Sequence, residues 1–263
     1  MNPPVQLDFT WLVLTLALAL RLSILVAMLP LLSGSTVPPL WRVAIAVVIA
    51  GATAPAVAAQ LPPGPLDLSW EALAAEGLRS LAVGALLAFT AGVPFAAVRF
   101  AGELIGVQIG FSMVNTIDPQ GMGQVSVLAN LYYLLAVMIF FAVDGHHTLI
   151  AVCAQSCALV PPLQPISLEA GSWLVVQEFA GFFELGLRLA APVAVVLLLV
   201  SVAMGFVVKT VPQINILVVG FPITIAVGLA TMGLSLVFFG QVLGSLFADL
   251  EGRFGAVLGA LQG

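Results

Sequence analysis

Asp144, His146 and His147 stand close together in VDGHHTLIAVCAQSC, with Cys153 and Cys157 farther along the same stretch. Carboxylate, imidazole and thiol are transition-metal donors, and an intramembrane carboxylate–imidazole pair can relay protons. The spacing matches no zinc pattern, and Asp-Gly-His reads more simply as a turn at a helix end whose polar groups face water or a neighbouring backbone. Cys153 and Cys157 point the same way if the stretch is helical, a spacing that seldom suits a disulfide, and they read as two small buried residues.

Other chemistry is thinner still. The Lys209-Thr210 pair in GFVVKT lacks the glycine before the lysine that a phosphate-cradling loop requires. No HExxH is present to bind zinc, and no GxSxG to expose a serine nucleophile. No enzyme activity, cofactor or metal is therefore expected. More informative are ionisable residues inside apolar runs: Arg21, Glu103, Glu184 and Arg188. Such groups are expected to be buried against a partner, a backbone donor or a water-filled cavity. Glu184 and Arg188 also have the spacing and order of a helical ion pair. Beside Glu103, Gly102, Gly106 and Gly110 recur every fourth residue, a stripe that lets another helix approach closely.

The elements that must position these groups are membrane helices. Of 263 residues, 62% are hydrophobic and 7% charged, and the mean hydropathy of +1.20 lies far outside the range of soluble domains. Seven scattered Lys and Arg leave no basic patch for a nucleic acid backbone, and the net charge of −5 is spread too thinly to indicate a partner. The N-terminus, MNPPVQLDFTWLVL, has no positive flank before its apolar run, so this segment is expected to be retained rather than cleaved.

A bilayer core of about 30 Å needs about 20 apolar residues as helix. Windows of that kind are predicted at 9–32, 40–59, 78–98 (ending around Pro94) and 125–152. Two longer blocks, 173–208 and 214–248, exceed one crossing and must tilt, break or leave the membrane plane, with Pro192 and Pro222 as candidates for a hairpin or a kink. Linkers are read at 61–67, 115–124 and 160–172, and no internal repeat is visible. Arg42, Arg99 and Lys209 lie in alternate connections, which favours alternate loops inside and, with six crossings, both termini outside.

Between two apolar runs stands NTIDPQGMGQ at 115–124, where Asp118-Pro119, Gly121 and Gly123 end any helix. Backbone that is not helical is tolerated at membrane depth only where protein buries it or a water-filled cavity adjoins it.

The stretches FAAVRFAGELIGVQIGFSMVNTIDPQ, VLANLYYLLAVMIFFAVDGHHTLI and VPQINILVVGFPITIAVGL occur in this order and resemble the FliR family of flagellar biosynthetic proteins and their injectisome counterparts, the T-subunit family of type III secretion export gates. The opening run with Arg21 and Pro30, followed by VPPLWRVAIAV, is similar to that family's first pair of segments, and the resemblance is weakest at 60–76 and after 245.

It implies an all-α membrane protein of long, kinked or hairpin helices, one export-gate domain over 1–263 with a P-like part to about 160 and a Q-like part over 161–263. It further implies a helical hetero-oligomer with the P and Q subunits (FliP and FliQ) and the switch subunit FlhB, in the bacterial inner membrane and at its periplasmic face within the flagellar basal body. Unfolded exported proteins would pass through its centre, with the energy supplied by a separate ATPase and the proton gradient. The family's plug loop falls on Phe111, Ser112, Met113, Val114, Asn115, Thr116, Ile117, Asp118, Pro119, Gln120, Gly121, Met122, Gly123 and Gln124, which the resemblance assigns to the pore. Two other classes stay open on the residues alone. One is a small-molecule secondary transporter with a broken-helix site; the other is a non-conducting membrane scaffold.

Overall fold

The computed structural model describes residues 9–28, 38–59, 69–110, 126–161, 166–211, 213 and 215–261. Eight helices run through them: α1 (Phe9–Met28), α2 (Pro39–Ala58), α3 (Trp70–Ile109), α4 (Val127–Ala142), α5 (Gly145–Leu159), α6 (Leu168–Thr210), α7 (Ile216–Ala248) and α8 (Leu250–Leu261). No strand occurs among the described residues. Pro39–Ala58, Trp70–Ile109, Glu169–Thr210 and Val218–Ala248 are long and apolar enough to cross a bilayer, and α4 with α5, bent by 67° where they meet, makes a fifth span if counted as one. The chain is thus an all-α membrane protein.

Two sequence expectations are corrected here. The third segment is not a crossing that ends near Pro94 but a helix of 40 residues that runs through that proline. Pro192 and Pro222 likewise lie inside the unbroken helices α6 and α7, not at hairpins. A proline removes one helix hydrogen bond, whereas ending the helix would unpair several N–H and C=O groups where no water can replace them. The break that does form is at Asp144, whose φ of 56° is left-handed and cannot continue α4. Its carbonyl instead accepts from the His147 amide at 2.9 Å and begins α5.

The helices fall into two units. The first takes Met1–Val93, Asp144–Phe179 and Ala248–Gly263. In it α1 packs on α2, and α5 packs against α1, α2 and α8. The buried side of α2 is a row of small residues, Ala46, Ala50 and Ala54, ending in Val57, which permits close helix approach. On α1, Leu14, Leu18, Leu22 and Leu25 are all buried. Also in this unit, the Ser167 amide donates to the Leu261 carbonyl at 3.1 Å, and Arg253 Nη2 donates to Glu178 Oε2 at 2.9 Å, which ties α8 to α6.

The second unit takes Pro94–Val143 and Ala180–Phe247. Its core is aromatic: the Phe95 ring lies 5.4 Å from that of Phe140 and 5.2 Å from that of Phe247, while Tyr132 meets Phe239 edge to face at 4.8 Å. Such ring pairs add about 0.5–1.5 kcal/mol each beyond area burial. The apolar windows of α6 and α7 are each only 17% buried in the chain, so Leu199, Val202, Phe206, Leu234 and Val237 face whatever surrounds it.

Candidate functional site

Arg21, alone of the four charged residues expected to be buried, is buried, and it is completely so. Two other helices of the first unit, α3 and α5, converge on it from around α1. On α3, Glu76, Ser80 and Gly84 recur every four residues and so share one face. A Cβ on Gly84 would lie 2.9 Å from the Arg21 Cα, so a larger residue there would push α1 away. On α5, Cys153, Ser156 and Cys157 make the facing row, continued by Val160 at the helix's C-terminal cap, all buried. Arg21 Nη1 donates to Ser156 Oγ at 3.1 Å, Nη2 to the Val160 carbonyl at 3.1 Å, and Nε more weakly to Ser80 Oγ at 3.4 Å. Each hydroxyl passes its own proton on: Ser80 to Glu76 Oε1 at 2.8 Å and Ser156 to the Cys153 carbonyl at 2.7 Å.

The counter-charge is Glu76, 3.8 Å from Arg21 and 2.9 Å from Arg79. One carboxylate thus stands between two guanidiniums, with Glu76 4% and Arg79 11% exposed. Sequence reading passed over Glu76, Ser80 and Ser156. Starting the third segment at 78 left Glu76 outside it, although the Glu-Ser-Gly period of four was there to be read.

Glu103, Glu184 and Arg188 depart from expectation. All three are exposed, on faces of α3 and α6 that the described residues leave uncovered. Glu184 and Arg188 are not among the ion pairs of the described residues. Asp144 and His147 are 72% exposed with Nδ1 to Oδ1 at 3.6 Å, and with His146 their donor atoms lie within 4.8 Å of one another at the bend between α4 and α5.

Gly102 and Gly106 lie against α4 of this same chain. A Cβ on Gly102 would collide with the Ala129 backbone, and one on Gly106 would lie 2.7 Å from Ser126 Oγ. Ser126 is the cap of α4, its Oγ accepting from the Ala129 amide at 3.3 Å. Gly110 does not continue the stripe. It follows the last residue of α3 with a φ of +102°, and a Cβ there would lie 2.7 Å from the Phe221 ring. Residues 111–124, from Phe111 to Gln124, lie outside the described residues, bounded by Gly110 on one side and Ser126 at the start of α4 on the other.

Residues 12–250 match the family described as bacterial export proteins, family 1. The flagellar biosynthetic protein FliR of Escherichia coli strain K12 is 31% identical over 243 residues, which is 92% of this chain and 91% of that protein. FliR of Bacillus subtilis strain 168 is 31% identical over 212 residues, 79% of this chain and 80% of its own length. That of Pectobacterium carotovorum is 35% identical over 175 residues, 66% of each.

Proposed function

The chain belongs to the bacterial export proteins, family 1, and from that membership we propose that it is a core subunit of the flagellar type III secretion export gate. The observations that carry this reading are the family match, which runs from α1 through α7, and the similarity to FliR, which covers 91% of the Escherichia coli protein. The large uncovered apolar area of α6 and α7 supports an assembly with other membrane subunits. FliP and FliQ are the partners this reading assigns, with FlhB beside them, in the inner membrane at its periplasmic face. Unfolded substrate chains pass through the centre, and this subunit adds no catalytic step.

Residues 111–124 form the plug of the pore in this reading. Support comes from their position: a sequence broken by Asp118-Pro119, Gly121 and Gly123 between two apolar helices calls for a protein-lined or water-lined setting. Gly121 and Gly123 give the backbone freedom to rearrange, and Met113 and Met122 offer adaptable apolar contact to chains of any sequence. The test is conductance of the purified gate with Gly121–Gln124 deleted, at matched abundance of the complex. Raised passage of ions and small solutes through an intact complex is expected. Unchanged conductance would return the segment to an ordinary surface loop, and a chain that purifies stable and monodisperse without other subunits would contradict the subunit reading.

A further inference from the structure

The end of α3 is held from one side by α7. Phe221, Thr224 and Gly228 are spaced three and four apart and share a face of that helix. The Phe221 ring occupies the space where a Gly110 side chain would stand, and Gly228 admits the Ile109 side chain at a point where a Cβ would lie 2.6 Å from it. Between these two contacts Thr224 Oγ1 donates to the Ile109 carbonyl at 3.2 Å. The last carbonyls of a helix have no partner within it. Those of Gly106 and Val107 are satisfied by the Gly110 amide, at 3.2 Å each, whereas that of Ile109 is reached by Thr224.

The Thr224 hydroxyl has one proton and two acceptors. Besides Ile109 it reaches the carbonyl of Phe221 in its own helix at 3.1 Å. Should α3 and α7 part, the hydroxyl keeps a partner and only the Ile109 carbonyl must find another. The contact is therefore releasable by design of its donor. It also sits on a softened turn, since Pro222 withholds the amide that would close the helix there.

We propose that Phe221 and Thr224 form a releasable latch on the C-terminus of α3, acting as positioning residues that couple movement of α7 to the pore segment entered at Gly110. The coupling rests on the plug reading given above; the latch itself consists of described residues alone. What recognises the α3 end is a hydroxyl of α7 aimed at a helix-terminal carbonyl and a ring packed on a glycine whose positive φ other residues rarely adopt.

The experiment uses the assembled gate with Thr224→Val, which keeps shape and removes the hydroxyl, and Thr224→Ser, which restores it. Phe221→Leu provides a second break of the latch should the valine variant fail to assemble. Hydrogen exchange of the amides at 106–110 and conductance are read for each, with the Gly121–Gln124 deletion as reference. Thr224→Val is expected to speed exchange about fivefold, the effect of losing one neutral hydrogen bond, and to conduct between wild type and the deletion. Thr224→Ser is expected to match wild type in both. Unchanged exchange in Thr224→Val, or faster exchange without added conductance while the deletion conducts, overturns the latch. So does a serine variant that behaves like valine. A deletion that does not conduct counts against the plug reading instead, and exchange alone then decides whether the latch exists.

Discussion

Glu76 is predicted to be harder to replace than Arg21, although Arg21 is the more deeply buried of the two. Replacing Arg21 with Met removes two hydrogen bonds of 3.1 Å, one of 3.4 Å and the 3.8 Å contact with Glu76. Removing one partner of a buried ion pair costs about 3–5 kcal/mol, mainly because the other charge is left uncompensated. Here it is not, since Glu76 retains Arg79 at 2.9 Å. The cost of Arg21→Met should therefore fall below that range, at about 2 kcal/mol. Glu76→Gln has no such relief: it strands Arg21, fully buried, beside a second guanidinium. The whole of that penalty, about 3–5 kcal/mol, applies.

A gap of about 2 kcal/mol between the variants corresponds to a ratio of about 30 in the folding equilibrium. The double variant gives the sharper signature. Arg21→Met with Glu76→Gln leaves only Arg79, 11% exposed and able to turn outward, so it should be more stable than Glu76→Gln alone. Denaturant midpoints of the purified complex in mixed micelles, followed by tryptophan fluorescence, provide the comparison. If Glu76→Gln proves no worse than Arg21→Met, or the double variant as damaging as Glu76→Gln, the shared-carboxylate account of this cluster is wrong.

Two further outcomes follow from the second unit. Gly102→Ala should destabilise the chain more than Gly106→Ala, because the obstacle at Gly102 is the fixed backbone of Ala129 whereas at Gly106 it is a serine hydroxyl that can rotate; overpacking of this kind costs about 1–3 kcal/mol. Gly51→Ala, with nothing within 4 Å, is the control, and folded yield in the membrane ranks the three. Charge reversal of Glu184, of Arg188 and of both together should show no mutual rescue of secretion, since they are exposed and do not pair in this chain; a double reversal that secretes better than either single one would establish the pair.

The hydropathy windows carried the helix count a long way, because membrane helices are marked by length and composition. Boundaries were less legible. Pro94 reads as a terminator only if ending the helix is cheaper than losing one bond, and in an apolar setting it is not. Asp-Gly-His at 144–146 was legible as a turn from its residue types, although the apolar window over 125–152 ran through it. The glycine period at 102 and 106 told of close approach without telling which helix approaches, and the answer, α4 of the same chain, depends on packing. Arg21 announced its burial by standing in the middle of an apolar run. Its partners lie 59, 135 and 139 residues away, a separation at which spacing carries no signal. Glu103, Glu184 and Arg188 announced themselves in the same way, yet the described residues leave them exposed, and sequence does not distinguish a face that its own chain covers from one that it leaves open.

The two ends of α3 are held by different physics, and the difference bears on which end can move. Near its start, Glu76 and Ser80 join a charged cluster whose rupture strands an ion, so displacement there is costly in any apolar medium. At its end, Ile109 and Gly110 are held by a ring contact and by a neutral hydrogen bond whose donor has a second acceptor ready. A neutral hydrogen bond contributes about 0.5–1.5 kcal/mol net, within reach of a modest binding event. The same helix is thus fastened where it meets α1 and α5 and more easily released at Ile109 and Gly110, where the holding contacts are a ring and one shared hydroxyl.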